Sequence, residues 1–509
     1  MVDKSKSKDF KKYLNFIIPV VIVILIIVLF FSLQQRTSEQ QGNETKTSTG
    51  IFSKCGDGKC SFNEDSSNCC IDCGCSSGFT CDGQRCKKMA ECGNGQLEEG
   101  ENSQNCCRDA GCPAGETCDN NICKELKPEI TALFSQSYIN SPSVTLLKAN
   151  GNNLGTINLQ NTGNDDAKDV KIILSSSNNY FSTKTIGSGL IPKDGTKTES
   201  VSLTFSNSIL DITSEQKIPV TAKIEYFNSA NKKYETSASF DLSVLGRNYF
   251  SWAHPEMISS WITPTQPTIR EFASKSTGGL ATYSSSIEQK LAARWLFENM
   301  RAYGVRYTTD AHVSGDYVQF PIETLKNKGG DCEDNAILFA SLLESVGIES
   351  FVVLVTGHAY AGYINKEGEA VPIETTASTF DSALSSGAYG FANENNKEII
   401  YPSNNWNNYP QVILSESTQL NMPSISKQKG SCGVSWSWSQ GWISKAQVTF
   451  SNSGNAPGAG CAAMTSYSSG QKIGEDLSCW QINPGETKNF DYIVDISLGD
   501  VFNGYCYVF

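Results

Sequence analysis

The cysteines constrain this chain more than any other feature. There are 19 in 509 residues, and 14 of them lie between Cys55 and Cys123. Such a density in a short segment is typical of a disulfide scaffold, which forms in an oxidising compartment. The sequence therefore predicts an extracellular location for this segment. The whole chain is long enough for several domains.

Two copies of one cysteine pattern, residues 55–86 and 92–123, superpose at an offset of 37 without a gap. Six cysteines recur in both copies, whereas Cys60 and Cys73 are replaced together by Leu97 and Ala110. This joint loss indicates that Cys60 is bonded to Cys73, since losing one partner alone would leave an unpaired thiol. The other pairings stay open, because six cysteines allow many connectivities.

Metal binding is the alternative for these repeats. Zinc clusters of cysteine are disfavoured outside the cell, where disulfides persist. Asp57, Glu64, Asp65 and Asp72 are candidate calcium ligands, in a spacing that faintly resembles small extracellular calcium-binding cysteine modules. Solvated turns between disulfides are the favoured interpretation.

An apolar segment near the N-terminus predicts a membrane anchor at residues 14–33. Residues 16–33 are uncharged over 18 residues, which is roughly 27 Å of helix and close to the hydrocarbon thickness. A cleaved signal peptide is disfavoured, because no small-x-small site follows. The five lysines of residues 1–13 favour a cytoplasmic tail. The chain would then cross the membrane once, and a stalk at residues 34–54 and all later residues would lie outside the cell.

The net charge of the chain limits which classes of partner it can bind. The net charge is −12 at pH 7, so nucleic acid is excluded as a partner. The membrane, through the N-terminal helix, is the first predicted partner. A cell-wall or surface-layer polymer is a further candidate for an exported chain.

Period-two alternation predicts an antiparallel β-sandwich in residues 128–246. The alternating apolar positions are Val170, Ile172, Leu174; Val201, Leu203, Phe205; Val220, Ala222, Ile224, Tyr226; and Phe240, Leu242, Val244. The segment from Gly155 resembles immunoglobulin-like surface domains of prokaryotic adhesion and S-layer-type proteins, in which a strand ends in Asn-x-Gly. A related signature begins at Ala446, which predicts a second small sandwich in residues 430–509.

The C-terminal module holds four cysteines and a tryptophan cluster. Two disulfides are expected among its cysteines, which are Cys432, Cys461, Cys479 and Cys506. Exposed tryptophans at 436, 438 and 442 could stack on sugars. Trp436 and Trp438 share one face of a strand at this spacing, however, and core packing is the favoured interpretation.

One cysteine, Cys332, remains after these even sets. Gly329, Gly330 and Asp331 precede it, and apolar residues then recur at helical spacing until Gly347. This pattern predicts that Cys332 lies in the first turn of a buried helix, where the helix dipole favours a thiolate.

Two further residues complete a catalytic pattern. His358 begins a predicted strand, and Glu374 lies on the neighbouring predicted strand. Cysteine, histidine and carboxylate are the nucleophile, base and orienting group of thiol acyl transfer.

These segments, within residues 250–412, resemble the transglutaminase-like superfamily, and Asp-Cys-Glu-Asp at 331–334 is most similar to its prokaryotic and archaeal cysteine peptidases. The resemblance implies a papain-like α+β core with Cys332 as nucleophile, His358 as base and acid, and Glu374 as orienting group. The sequence departs from the family pattern at Glu374, where aspartate is usual. The resemblance implies no required cofactor.

Two minor assignments follow. Gln319 is a candidate oxyanion-hole donor beside the Cys332 backbone N–H. Asp331, Glu333 and Asp334 are candidate calcium ligands, because some relatives bind calcium with this acidic string. First-turn carboxylates also stabilise helices without a metal.

The sequence thus predicts a membrane-anchored thiol enzyme that acts on protein or peptide amides at the cell surface, with hydrolysis favoured over transamidating cross-linking. An inactive adhesion or binding protein with the same core is the second hypothesis. A stalked structural spacer, with a buried or bonded Cys332, is the third.

Overall fold

The computed structural model describes residues 54–136, 143–150, 154–278, 283–309, 316–416, 419–428, 430–496, 501 and 503–509. In this part the chain is multidomain and rich in β-structure. None of the helices described there is long and apolar enough to cross a bilayer. The predicted tail, the anchor at 14–33 and the stalk up to residue 53 lie outside the described residues, so the anchor stays a prediction.

The first cysteine repeat consists of a single helical turn and one hairpin, which are α1 (Cys70–Cys73), β1 (Phe79–Asp82) and β2 (Arg85–Lys88). Its disulfides join Cys55 to Cys69, Cys60 to Cys73, Cys70 to Cys81 and Cys75 to Cys86. The bond between Cys60 and Cys73 is the pairing that their joint replacement in the second copy predicts. Because the hairpin strands are almost wholly exposed, covalent bonds replace a hydrophobic core here.

The second repeat follows the same plan. Its elements are α2 (Cys107–Ala110), β3 (Glu116–Asp119) and β4 (Ile122–Glu125). The bonds Cys92–Cys106 and Cys112–Cys123 reproduce two bonds of the first copy at the offset of 37. The sequence repeat is therefore also a repeat of disulfide connectivity.

A β-sandwich follows in two sheets. Its elements are β5 (Ile130–Gln136), α3 (Val144–Ala149), β6 (Gly155–Asn161), β7 (Ala167–Ser175), β8 (Lys184–Ile191), β9 (Thr196–Val201), β10 (Gln216–Phe227) and β11 (Lys233–Val244). The sheet orders are β5-β6-β9 and β11-β10-β7-β8. The predicted strand at 201–205 is wrong in part: β9 ends at Val201, and Phe205 pairs with Phe181 in an isolated bridge, although Leu203 and Phe205 are both buried. The alternation of apolar residues there correctly predicts burial, but a buried residue need not belong to a continuous paired strand.

A buried asparagine fixes the Asn-x-Gly turn. Asn161 donates to the carbonyl oxygens of Asp165 and Ile191, and its own oxygen accepts the Gly163 and Glu129 N–H groups. With a further bond to the Pro192 carbonyl oxygen, this one side chain bonds five backbone groups around the turn.

The central region is an α+β core. Its elements are β12 (Tyr249–Phe250), α4 (Pro267–Ser276), α5 (Ser286–Tyr303), β13 (Arg306–Tyr307), β14 (Asp316–Tyr317), α6 (Pro321–Asn327), β15 (Gly329–Gly330), α7 (Cys332–Ser345), β16 (Ser350–Val355), β17 (His358–Ile364), β18 (Ala370–Ile373), α8 (Phe380–Asn393), β19 (Glu398–Ile400) and α9 (Pro402–Asn405). The strands from β16 onward form one antiparallel sheet in the order β18-β17-β16-β19. Most of α7 is buried against this sheet, so the start of α7 lies beside the strand that begins with His358.

The C-terminal region is a second sandwich. Its strands are β20 (Ile425–Gln428), β21 (Cys432–Ser437), β22 (Gly441–Asn452), β23 (Gly458–Ser468), β24 (Gln471–Ile482), β25 (Thr487–Asp495) and β26 (Tyr505–Val508). Disulfides join Cys432 to Cys506 and Cys461 to Cys479, which makes the two bonds that were expected. Asn452 repeats the contacts of Asn161, since it donates to Ala456 and Ile482 and accepts from Gly454 and Ser424.

The prediction that Trp436 and Trp438 pack in a core is wrong. Trp436 is 53% exposed and packs only at an edge against Trp442, while Trp438 is 97% exposed just beyond β21. Spacing of two fixes which residues share a strand face, but it does not decide whether another sheet covers that face.

Candidate active site

Helix α7 presents Cys332 at its first position. Asp331 caps the helix, because its carboxylate accepts the backbone N–H of Asp334. Residue 330 is necessarily small, since a Cβ there would lie 2.5 Å from the Asp334 Cβ. Among the described residues Cys332 is the one cysteine outside a disulfide, and it is partly buried. The sequence prediction of a helical N-terminal cysteine agrees with this placement.

His358 and Glu374 come together through the sheet. His358 opens β17 opposite Val355, and Glu374 directly follows β18, whose Ile373 pairs with Ala361. His358 Nε2 lies 2.7 Å from Glu374 Oε2. Because Nε2 is engaged by the carboxylate, Nδ1 is the ring nitrogen left to exchange a proton with a thiol.

Two residues that the sequence did not single out hold the segment around Glu374. Thr376 donates to Glu374 Oε1 through its backbone N–H at 2.9 Å and through its hydroxyl at 2.6 Å. The Arg301 guanidinium donates to the carbonyl oxygens of Thr375 and Ala377, on either side of Thr376. Arg301 is 5% exposed, and burial lowers its pKa to about 10. A basic residue near a helix C-terminus is common, so the sequence carries no signal that marks Arg301.

One cavity of about 650 Å³ is lined by both Cys332 and His358. Leu354, Val355 and Ala359 supply apolar wall around them. The nucleophile and base candidates therefore share a space that an amide group of a substrate can enter.

The thiol has a carboxylate neighbour. Cys332 Sγ donates to Glu333 Oε2 at 3.0 Å. Burial, then the hydrogen bond and the charge of Glu333, together raise the pKa of the thiol to about 12, although a hydrogen bond with the Ala359 backbone opposes them. Helix position alone favours a thiolate, but burial and the adjacent carboxylate reverse that expectation for the resting site.

His358 and Glu374 shift each other's pKa in opposite directions. The hydrogen bond to Glu374 raises the pKa of His358, and burial only partly opposes it. Burial raises the pKa of Glu374, but hydrogen bonds from His358 and Thr376 outweigh burial and leave that pKa below its usual value. Both shifts favour an imidazolium–carboxylate pair, beside a thiol whose raised pKa favours its protonated form.

Gln319 is engaged elsewhere. Its side-chain N–H groups donate to the Gly329 carbonyl oxygen and to Asp334 Oδ2, and its oxygen accepts from Asn327. An oxyanion donor needs an N–H group aimed at the reacting oxygen. Gln319 instead anchors the chain before α6 to helix α7, which corrects its predicted role.

The acidic string of α7 does not converge on a common point in the described structure. Asp334 Oδ1 accepts the Gln319 backbone N–H at 2.7 Å, Asp331 caps the helix, and Glu333 accepts the thiol. Their lone pairs are directed to three different donors, so they do not form the ligand shell that calcium takes. We assign these carboxylates to the helix and the thiol.

The acidic residues of the cysteine repeats bind backbone N–H groups. Asp72 accepts from Gly56, Asp57 and Gly58, and Asp57 and Asp65 each accept an N–H two residues on. In the second repeat Asn94 and Asn102 stand at the positions of Asp57 and Asp65 and make the same bonds. Asparagine preserves a turn-capping bond but not a calcium-binding charge, so turn capping explains both copies.

Comparisons with known proteins give no family assignment. No protein-family model and no curated protein matches the sequence. Among solved structures, red sea bream transglutaminase is similar at 8% identity and a TM-score of 0.18, covering 67% of this chain and 75% of that one. A tetra-tandem repeat from the extending region of a large adhesion protein is similar at 7% identity and a TM-score of 0.15, covering 75% and 73%. Likenesses this low carry no argument about activity.

Proposed function

We propose that this chain is a transglutaminase-like thiol enzyme of the cell surface that cleaves amide bonds of proteins or peptides. The observation that carries the proposal is that Cys332, at a helix N-terminus, shares a cavity with His358, whose Nε2 is bonded to Glu374. The motif resemblance around residues 331–334 supports it independently of overall similarity.

The chemistry uses residues of this chain alone. Neutral His358 is the base: the Cys332 thiol proton passes to its Nδ1, and Sγ attacks the amide carbonyl carbon. Collapse of the tetrahedral intermediate breaks the C–N bond, and His358 returns the proton to the leaving nitrogen. Water then attacks the thioester carbon and gives one proton to His358. The C–S bond breaks, the carboxylic acid leaves, and His358 returns the proton to Sγ.

Hydrolysis and transamidation share every step up to the thioester. An amine in place of water would give a new amide and release the same thiol. The cavity is partly open to solvent, so water can reach the thioester. We therefore propose hydrolysis as the main outcome.

Labelling with an electrophilic amide mimic tests the proposal. The purified chain should be labelled at Cys332, and Cys332→Ala should abolish labelling. His358→Ala should slow labelling at least about a hundredfold, since general-base catalysis contributes that much or more. His254→Ala is the matched control, because this histidine is exposed beside Glu256 and does not itself line the cavity. Equal labelling of the parent chain and of His358→Ala would contradict the proposal and leave an adhesion or spacer role.

A further inference from the structure

The wall of the Cys332 cavity is acidic. Asp331, Glu333 and Glu398 line it, and its described lining includes no lysine or arginine. Lys397 adjoins Glu398 in sequence, but its ammonium group donates to the Glu394 carbonyl oxygen at 3.0 Å and lies over the Phe391 ring. Lys397 is thus engaged by Glu394 and Phe391, neither of which lines the cavity.

Aromatic rings line the same space. Trp252 and Tyr307 both contribute to the wall, and the Trp252 indole is held at an edge against Phe250 with 4.7 Å between the ring centroids. An aromatic face attracts an ammonium or guanidinium group, and a neighbouring carboxylate adds to that attraction. Rings and carboxylates around one cavity form a receptor for a cation.

Glu333 links this receptor to the nucleophile. Its side chain is 8% exposed, and its Oε2 accepts the thiol hydrogen at 3.0 Å. A cation that pairs with Glu333 removes negative charge from beside the sulfur and competes for the oxygen that holds the thiol proton. Both effects favour transfer of that proton to His358.

We infer that the substrate carries a lysine or arginine side chain next to the reacting amide, and that Glu333 recognises this cation. The inference rests on the proposed thiol chemistry and adds the substrate class to it. Glu333 acts as a specificity-determining residue, while Cys332 and His358 carry the reaction.

Matched peptidyl electrophiles test the inference on the purified full chain. Three probes differ only in the side chain beside the electrophile, which is lysine, norleucine or glutamate. The ratio of labelling rates between probes cancels the reactivity that the thiol has in every case, so it reports only what the side chain of the probe adds. The parent chain, Glu333→Gln and the exposed control Glu369→Gln are compared.

We expect the parent chain and Glu369→Gln to prefer lysine over norleucine by about tenfold or more, as for a hydrogen bond to a charged group. Glu333→Gln should bring this ratio close to one. Equal rates for lysine and norleucine in the parent chain would overturn the inference, and so would an undiminished preference in Glu333→Gln.

Two further measurements keep the test decisive. If Glu333→Gln does not fold, the parent chain must still be labelled fastest by the lysine probe and slowest by the glutamate probe, because Glu333 attracts a cation and repels an anion; a glutamate probe as fast as the lysine probe would overturn the inference. If no probe labels the chain, or if labelling does not depend on His358, the proposed thiol chemistry itself is rejected.

Discussion

His358 Nε2 lies 2.7 Å from Glu374 Oε2, while the other oxygen of the same carboxylate accepts two hydrogen bonds from Thr376. In the family that the sequence resembles, aspartate is usual at this position. Glutamate is one methylene longer. The longer side chain starts just after β18 rather than within it, and Thr376 fixes its orientation. The departure is therefore compatible with an orienting carboxylate.

Glu374→Gln should lower the labelling rate at Cys332 by about a hundredfold or more, because an amide can fix the wrong tautomer of His358. The labelling rate of Glu374→Asp should lie between those of the parent and Glu374→Gln, since the shorter side chain cannot keep both the His358 and the Thr376 bonds. Labelling kinetics of the three proteins provide the measurement. A Glu374→Gln protein as fast as the parent would remove Glu374 from the site.

The same pair predicts a pH window for stability. Because the folded pKa of His358 is raised, its stabilisation is full below about pH 6.5 and is lost as the pH rises through the folded pKa. Because the folded pKa of Glu374 is lowered, its stabilisation is full above about pH 4.5 and is lost as the pH falls through the folded pKa. The Tm difference between the parent and Glu374→Gln should therefore be largest between these limits. A difference that grows steadily above pH 7 would contradict this assignment.

Glu333 should suppress the intrinsic reactivity of the thiol. Iodoacetamide is small and neutral, so its alkylation rate reports the thiolate population. At pH 7 the parent should react at least about a hundredfold more slowly than free cysteine, because burial first and Glu333 second raise the thiol pKa to about 12. Glu333→Gln should react faster than the parent. A slower reaction would mean that the carboxylate activates the thiol.

Arg301 should act as a positioning residue. Arg301→Met removes the donors to the carbonyl oxygens of Thr375 and Ala377, so the Glu374 segment should loosen. We expect a lower kcat, little change in KM and a lower apparent pKa of His358 in the pH–rate profile. The control is Arg294→Met on the same helix, whose ion pair with the exposed Asp381 is worth about 0–1 kcal/mol. Equal effects of both variants would reduce Arg301 to a general stabilising role.

Trp438 should contribute almost nothing to the folded state. It is 97% exposed, so Trp438→Ala should change the free energy of unfolding by less than about 0.5 kcal/mol. Trp261 is fully buried, and Trp261→Ala should cost about 3–5 kcal/mol. Denaturant unfolding of both variants measures the contrast. A large loss for Trp438→Ala would restore the core-packing interpretation.

Several features followed from the sequence because they depend on local chemistry. The offset of 37 between the cysteine repeats and the joint loss at Leu97 and Ala110 imply the Cys60–Cys73 bond, since a stranded thiol is unfavourable in any fold. The glycine–aspartate stop before Cys332 and the helical periodicity after it imply a cysteine at a helix start. Such signals lie within a few residues of each other or in a repeat that the chain itself provides.

Other features were decided only by tertiary structure. The sequence could not show that Glu333 bonds the thiol, that Gln319 turns to Asp334, or that Arg301 reaches the Glu374 segment from 73 positions away in the chain. Residue type states what a side chain can donate or accept, whereas its partner depends on which strands and helices pack together. The sequence by itself thus determined the candidate nucleophile, base and orienting group, and packing decided their burial, charge and partners.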